Sequence, residues 1–279
     1  MTPLALTLRE RPGGYLDMSA LTPDRLAGLD PGQVKALEMR VGTEHIKAGK
    51  LFDIRGRDTD HLILPRGCDR FIRLGRSMTR GSIDVCGHGG QYIGQGMSGG
   101  EIRVDGDTGD WTAAGMRGGT LHVSGNVGDF TGAGLPGDVT GMSNGCVVIR
   151  GDSGDRLGDR MRRGTILVFG NAGDFAGSGM KAGTLVILGQ VGRYPGHGMH
   201  RGTIVLGNKP RQMPLTFQNC GNLKMEFLRL FFKQISTLSS DFAFFRGFGP
   251  EAHRLAGDRA AGGQGEILIL LNADAIMRA

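Results

Sequence analysis

The sequence predicts a mainly β protein: one single-stranded parallel β-helix, right-handed, with capping elements at both ends. Three observations carry this expectation. Glycine makes up 51 of 279 residues, against a usual level of about 7%. Glycines recur at positions 81, 100, 119, 145, 164, 183 and 202, a 19-residue spacing broken once by 26. Removing the seven residues 135–141, LPGDVTG, restores the register. Two aliphatic columns ride on this frame: Ile83, Ile102, Leu121, Val147, Ile166, Leu185 and Ile204, then Val85, Val104, Val123, Ile149, Val168, Ile187 and Leu206.

Each element follows from that frame. Aliphatic residues at alternate positions mark a strand with one buried side. A 19-residue period is too short for helical repeats of about 33–47 residues or for propeller blades of about 40. It suits a solenoid in which each period is one turn, stacked about 4.8 Å from the next. Glycine serves the sharp corners of a small turn, where φ is often positive. "YIGQGMSGG" (92–100) has the G-x-G-x-x-G spacing of a dinucleotide loop, but no amphipathic helix follows it, and the spacing recurs at Gly132, Gly134 and Gly137. It reads as a corner of the repeat. Aromatic residues form a further column, Tyr92, Trp111, Phe130, Phe175 and Tyr194, which is expected to be packed, with Arg156 as its one break. A methionine column (Met97, Met116, Met142, Met161, Met180, Met199) closes each repeat.

The chain therefore divides into an N-terminal cap (1–60), the β-helix (61–208, with the insertion 135–141) and a C-terminal helix-and-strand cap (209–279). The N-terminal cap offers a strand at Leu4, Leu6 and Leu8 and two short helices, each opened by a capping residue followed by proline (Thr22-Pro23, Asp30-Pro31). The C-terminal cap offers a helix over 222–238 with Phe227, Leu228, Phe231, Phe232 and Ile235 on one face, then a final strand GEILIL. Outward positions change character along the rod. Asp84, Arg103 and His122 give way to Val148, Leu167, Val186 and Val205, flanked by Phe169 and Leu188. Such a face needs a cover, and the chain's own C-terminal helix is the expected one.

Chemistry is harder to find. The net charge of +6 favours acidic partners without the dense clusters of a nucleic-acid arm. Cys68, Cys86, Cys146 and Cys220 are scattered, no signal-peptide pattern opens the chain, and its longest apolar run is 267–271. A cytoplasmic protein with no membrane or nucleic-acid partner is expected. The seven histidines form no metal-ligand spacing, so neither a metal nor a catalytic set is expected. Asp110, Asp129, Asp155 and Asp174 stack as an acidic row. Such a row binds calcium in nonapeptide β-rolls or caps backbone N–H groups in tight turns; the 19-residue period favours capping. Arg80, Arg117, Arg162, Arg163, Lys181 and Arg201 stack as a basic stripe. It is either a solvated edge or a site for an acidic partner surface or an acidic small-molecule tail. The insertion 135–141 projects from a regular wall and is expected to make a partner contact.

The frame G-x-x-G-x-x-x-G in GDTGDWTAAG, GNVGDFTGAG and GNAGDFAGSGM resembles two related groups. One is the β-helix domain of the glutamate synthase large subunit. The other is the C subunit of formylmethanofuran dehydrogenase, with its counterpart in the bacterial formyltransferase/hydrolase complex. The flanks LTPDRLAGL, HIKAGKLFDIRG and RLAGDRAAGGQGEILIL resemble this C-subunit family, more like its bacterial members. That resemblance implies a non-catalytic structural subunit of a one-carbon complex handling the formyl group on methanofuran or an analogue. It implies hydrolase-like, formyltransferase and dehydrogenase-B-like partner subunits, with zinc or a pterin metal held by those partners and no cofactor held by this chain. The carrier's acidic glutamyl tail would give the basic stripe a ligand. A glutamate-synthase-like subunit of an amidotransferase and an independent carbohydrate-active β-helix enzyme are the rival readings.

Overall fold

The computed structural model describes residues 2–237 and 240–273. The chain opens with β1 (Pro3–Leu8), β2 (Leu16–Asp17), α1 (Pro23–Leu26), α2 (Pro31–Ala36), β3 (Glu38–Val41), β4 (Glu44–Lys47), α3 (Ala48–Leu51) and β5 (Phe52–Arg55). β6 (Asp58–Leu64) and β7 (Phe71–Ile72) lead into the repeats, which supply β8 (Ser82–Val85), β9 (Ser98–Val104), β10 (Arg117–Val123), β11 (Asn144–Ile149), β12 (Thr165–Val168), β13 (Thr184–Ile187) and β14 (Arg201–Leu206). β15 (Gln218–Lys224), α4 (Glu226–Ile235), a 3-10 helix (Ser240–Gly247), β16 (Glu251–Gly257) and β17 (Gln264–Leu270) complete the described chain. The molecule is mainly β.

One 13-stranded sheet, in the order β15-β16-β17-β14-β13-β12-β11-β10-β9-β8-β6-β1-β5, holds most strands. Neighbouring repeat strands pair in parallel, and equivalent residues face each other: Ile166 opposes Val147 on one side and Leu185 on the other. A second line of parallel bridges joins Val127, Ser153, Ala172 and Val191, away from those strands. The two aliphatic columns are buried, and so are the methionines from Met78 to Met199. Full burial of each such side chain contributes about 1.5–3 kcal/mol. Gly164 shows why the repeat keeps glycine at its strand start. Its φ is +96°, and an added Cβ would lie 2.7 Å from the Gly145 carbonyl and 2.9 Å from the Met142 methyl.

The ends follow their local sequence. Thr22 and Asp30 cap α1 and α2, and Asp30 with Gln33 forms a capping box. β1 lies between β6 and β5, and β6 runs across the expected boundary at residues 60 and 61. At the far end β17 pairs in parallel with β14, register intact from Arg201–Gln264 to Leu206–Ile269. The helix expected over 222–238 is shorter. Asn222, Leu223 and Lys224 pair with His253, Ala252 and Glu251 in β16, so they are strand, and the helix begins at Glu226. Residue 238, with 239 and 274–279 of the expected cap, lies outside the described residues.

α4 and the 3-10 helix cover the apolar outer face, as expected. Val148, Leu167, Val186, Leu188 and Val205 join Leu228, Phe232, Ile235, Phe242, Phe245 and Phe248 in a second core. Of the five residues assigned to the helix's inner face, Leu228, Phe232 and Ile235 are buried. Phe231 is half-buried, and Phe227 remains 42% exposed. The i, i+4, i+7 stripe is the one that reaches the sheet. Among the described residues no helix is long and apolar enough to cross a membrane.

Candidate functional site

The basic stripe sits where the chain leaves each buried methionine. Parallel stacking puts Arg117, Arg162, Lys181 and His200 in one row, since their N–H groups bond to the carbonyls of Met97, Met142, Met161 and Met180. Arg80, Arg163 and Arg201 occupy the adjacent row, one residue further on. The six expected site residues do not share one role. Arg80 lies 3.4 Å from Asp60. Arg201 donates from Nε to the Gln264 side chain. The Lys181 ammonium donates to the Val139 carbonyl at 2.9 Å, inside the inserted loop. Arg117, Arg162 and Arg163 are exposed.

The loop has a second anchor. Arg160 donates to the carbonyls of Gly134, at 3.2 Å, and Asp138. Asp159, 6% exposed, accepts from Arg160 at 2.8 Å and from Arg156 at 3.5 Å. Asp159 and Arg160 were not among the expected site residues, although the sequence carries a signal. Where the other repeats place Gly96, Gly115, Gly134, Gly179 and Gly198, this one places Arg160, with a left-handed φ of +55°. Ser77 holds the same row at the same φ of +55°, so what sets Arg160 apart is its reach to the inserted loop.

The aromatic column is not in the core. Arg73, Tyr92, Trp111, Phe130, Arg156, Phe175 and Tyr194 all have φ between +57° and +62° and form a half-buried surface ladder. Left-handed backbone at the corner turns these side chains outward, where they stack on the equivalent residue of the next repeat. Trp111 stacks on Phe130 at 4.4 Å with 4° between planes. Arg156, expected as a break, continues the ladder, its guanidinium 6.0 Å from the Phe130 centroid and 5.2 Å from that of Phe175.

The acidic row is engaged by backbone. Oδ1 of Asp110, Asp129, Asp155 and Asp174 accepts from the N–H of Asp129, Asp155, Asp174 and Arg193, at 2.7–2.9 Å. A parallel row runs through Asp107, Asn126, Asp152 and Asn171. Each side chain caps the following repeat rather than its own turn. The Arg193 side chain bonds to Asp174 and, with the Arg193 N–H, holds its carboxyl below the ordinary carboxylate value. Burial pushes the Cys146 thiol up to about 11, and burial also raises Cys68 and Cys86, which keeps these thiols protonated at neutral pH. His61 meets Asp84 at 2.7 Å, and His122 meets Glu101 at 3.6 Å. Among the described residues no group of three or more His, Cys, Asp or Glu could hold a metal ion.

Comparison with known proteins gives this geometry a context. The GXGXG-motif family matches residues 69–228, more than half of the chain. The C subunit of the tungsten-containing formylmethanofuran dehydrogenase 2 of Methanothermobacter marburgensis is 33% identical over 99 residues, covering 34% of this chain and 37% of that protein. Its counterpart from Methanococcus maripaludis is 29% identical over 95 residues, covering 33% and 35%. The matched region thus spans little more than a third of these curated relatives. A chain of the formyltransferase/hydrolase complex (FhcABCD) from Methylorubrum extorquens, crystallised with methylofuran, superposes with a TM-score of 0.87 at 35% identity. That match covers 95% of this chain and 98% of the other.

Proposed function

The chain belongs to the family of formylmethanofuran dehydrogenase C subunits, and from that premise we propose that it is a non-catalytic structural subunit of a one-carbon complex. The complex would transfer or hydrolyse the formyl group on methanofuran or an analogue. The observation that carries this is the FhcABCD match, which covers 95% of the chain at 35% identity and a TM-score of 0.87. The hydrolytic complex is the reading that this match favours. Hydrolase-like, formyltransferase and dehydrogenase-B-like chains are then the partners; they would hold zinc in the hydrolytic complex and a pterin metal in the redox-active one.

In this reading the repeats over 61–208 form a right-handed parallel β-helix between caps 1–60 and 209–279. Support comes from two lines of parallel pairing at different points of one 19-residue period. A structural role is supported by the engagement of Asp107, Asp110, Asp129, Asp152, Asp155 and Asp174 with backbone N–H groups. The carbohydrate-active alternative needs free aromatic faces. Here the faces of Trp111 and Phe130 lie against each other, which disfavours it. Arg117, Arg162 and Arg163 are the stripe residues best placed for an acidic carrier tail or acidic partner; Arg80, Lys181 and Arg201 serve internal contacts as well. A cytoplasmic setting agrees with four free cysteines.

Native purification through a tag on this chain, with mass spectrometry and metal analysis, tests the reading. A zinc hydrolase and a formyltransferase should co-purify without molybdenum or tungsten. Either of those metals together with iron–sulfur proteins would move the assignment to the dehydrogenase. A chain purifying alone would overturn it.

A further inference from the structure

We propose that residues 135–141 are a pre-set peg that seats Val139 in an apolar, acid-rimmed socket on another subunit of the complex; this rests on the subunit reading above. The loop enters between Gly134 and Met142, where every other repeat passes directly from one position to the next. It does not hang free. From its own repeat it crosses the following one to meet Lys181, two strand spacings away, or about 10 Å along the rod.

The repeat it crosses is altered to hold it. Arg156, Asp159 and Arg160 occupy positions that are aromatic, small or neutral, and glycine in most other repeats, and they form one connected group. Asp159 pairs with both arginines, and Arg160 reaches the loop carbonyls of Gly134 and Asp138. A flexible seven-residue insertion costs little by itself. Burying a carboxylate and placing an arginine at positive φ both cost free energy. The bonds from Arg160 to the loop carbonyls offset part of that cost and hold the loop in one shape.

The shape tethers polar backbone and leaves an apolar side chain in water. The Val139 carbonyl is bonded to Lys181 while Val139 as a whole is 72% exposed. Arg117, Arg162 and Arg163 are exposed on the flanking repeats and make no ion pair among the described residues. The loop's one carboxylate, Asp138, accepts from the Leu135 N–H. An apolar tip in a basic surround calls for an apolar hollow with an acidic margin. A polyanionic tail would engage the arginines and leave Val139 wet; a folded protein surface satisfies both.

The test uses the complex purified through a tag on the full chain, with partner subunits identified and quantified in the wild type. Val139→Asp should melt like wild type, because the side chain is exposed, yet retain the contacting subunit about tenfold less well or worse. Lys181→Met should produce a smaller loss and faster hydrogen exchange at Val139 and Thr140. Wild-type stoichiometry in Val139→Asp, held on dilution, overturns the peg while leaving the subunit reading intact. So does a result in which only Arg162→Glu with Arg163→Glu has an effect, and that effect is carrier release. A wild-type chain that purifies alone removes the subunit reading itself.

Discussion

The Asp129 side chain accepts the Asp155 N–H and the Asp129 backbone N–H donates to Asp110, so one residue joins three repeats. Asp129→Ala would leave the Asp155 N–H without its acceptor and should cost about 0.5–1.5 kcal/mol. Asp129→Asn keeps an acceptor oxygen and should cost less; urea titration of both variants separates the bond from the charge. The row was legible in the repeated DTGD, NVGD, DSGD and NAGD. Its direction was not, because the donor belongs to whichever repeat lies above, which a linear sequence leaves unstated. Arg156 makes the same point. Read along the column it interrupts the aromatics; in space it stacks on them and holds the buried Asp159. Arg156→Phe completes the aromatic pattern yet should destabilise by about 1–3 kcal/mol, since Asp159 loses a partner. A gain in stability would show that stacking outweighs the ion pair. Asp174 supplies the pH dependence. Its folded-state pKa is depressed by Arg193, so its contribution is present above the unfolded carboxylate value near 3.8 and lost as pH falls through the lower folded value. Arg193→Ala should bring the Asp174 titration, followed by carboxyl NMR, back toward the ordinary value.

Among elements, α4 and the 3-10 helix decide whether half of the sheet's outer face stays dry. Phe245 is fully buried, with ring centroids of Phe232, Phe242, Phe244, Phe248 and Phe169 within 4.5–5.9 Å. Phe245→Ala should therefore cost about 3–5 kcal/mol. Leu230, 72% exposed on the same helix's other face, should tolerate alanine within about 0.5 kcal/mol. Chemical denaturation of the two variants measures the contrast, and equal losses would mean that the second core does not hold the helix. The need for a cover was legible in the shift from Asp84, Arg103 and His122 to Val148, Leu167, Val186 and Val205. The helix boundary was not. Asn222–Lys224 is strand because β16 lies beside it, and tertiary pairing overrides local pattern in a segment this short.

Across the whole molecule, a stack of repeats gains stability from neighbour contacts and is vulnerable at its ends. The two regions that depart from the repeat therefore differ in consequence. The insertion adds no strand and no residue of the two buried cores. Deleting 135–141 restores the 19-residue spacing, loosens Arg160 and Lys181, and should shift stability by about 1 kcal/mol or less. The C-terminal region does the opposite. β17 occupies the edge of β14 along six residue pairs, and the same segment supplies the cover for Val148, Leu167, Val186 and Val205. Ending the chain after residue 208 would expose a parallel strand edge and an apolar face together, the combination that templates association. The truncated chain should pass into the insoluble fraction or large assemblies on expression, while the loop deletion stays soluble and melts cooperatively. Size-exclusion chromatography with light scattering and a thermal melt on both decides the matter. A soluble monomeric truncation would mean that the repeats stabilise themselves without the C-terminal segment. An aggregating loop deletion would mean that the insertion serves the fold rather than a partner.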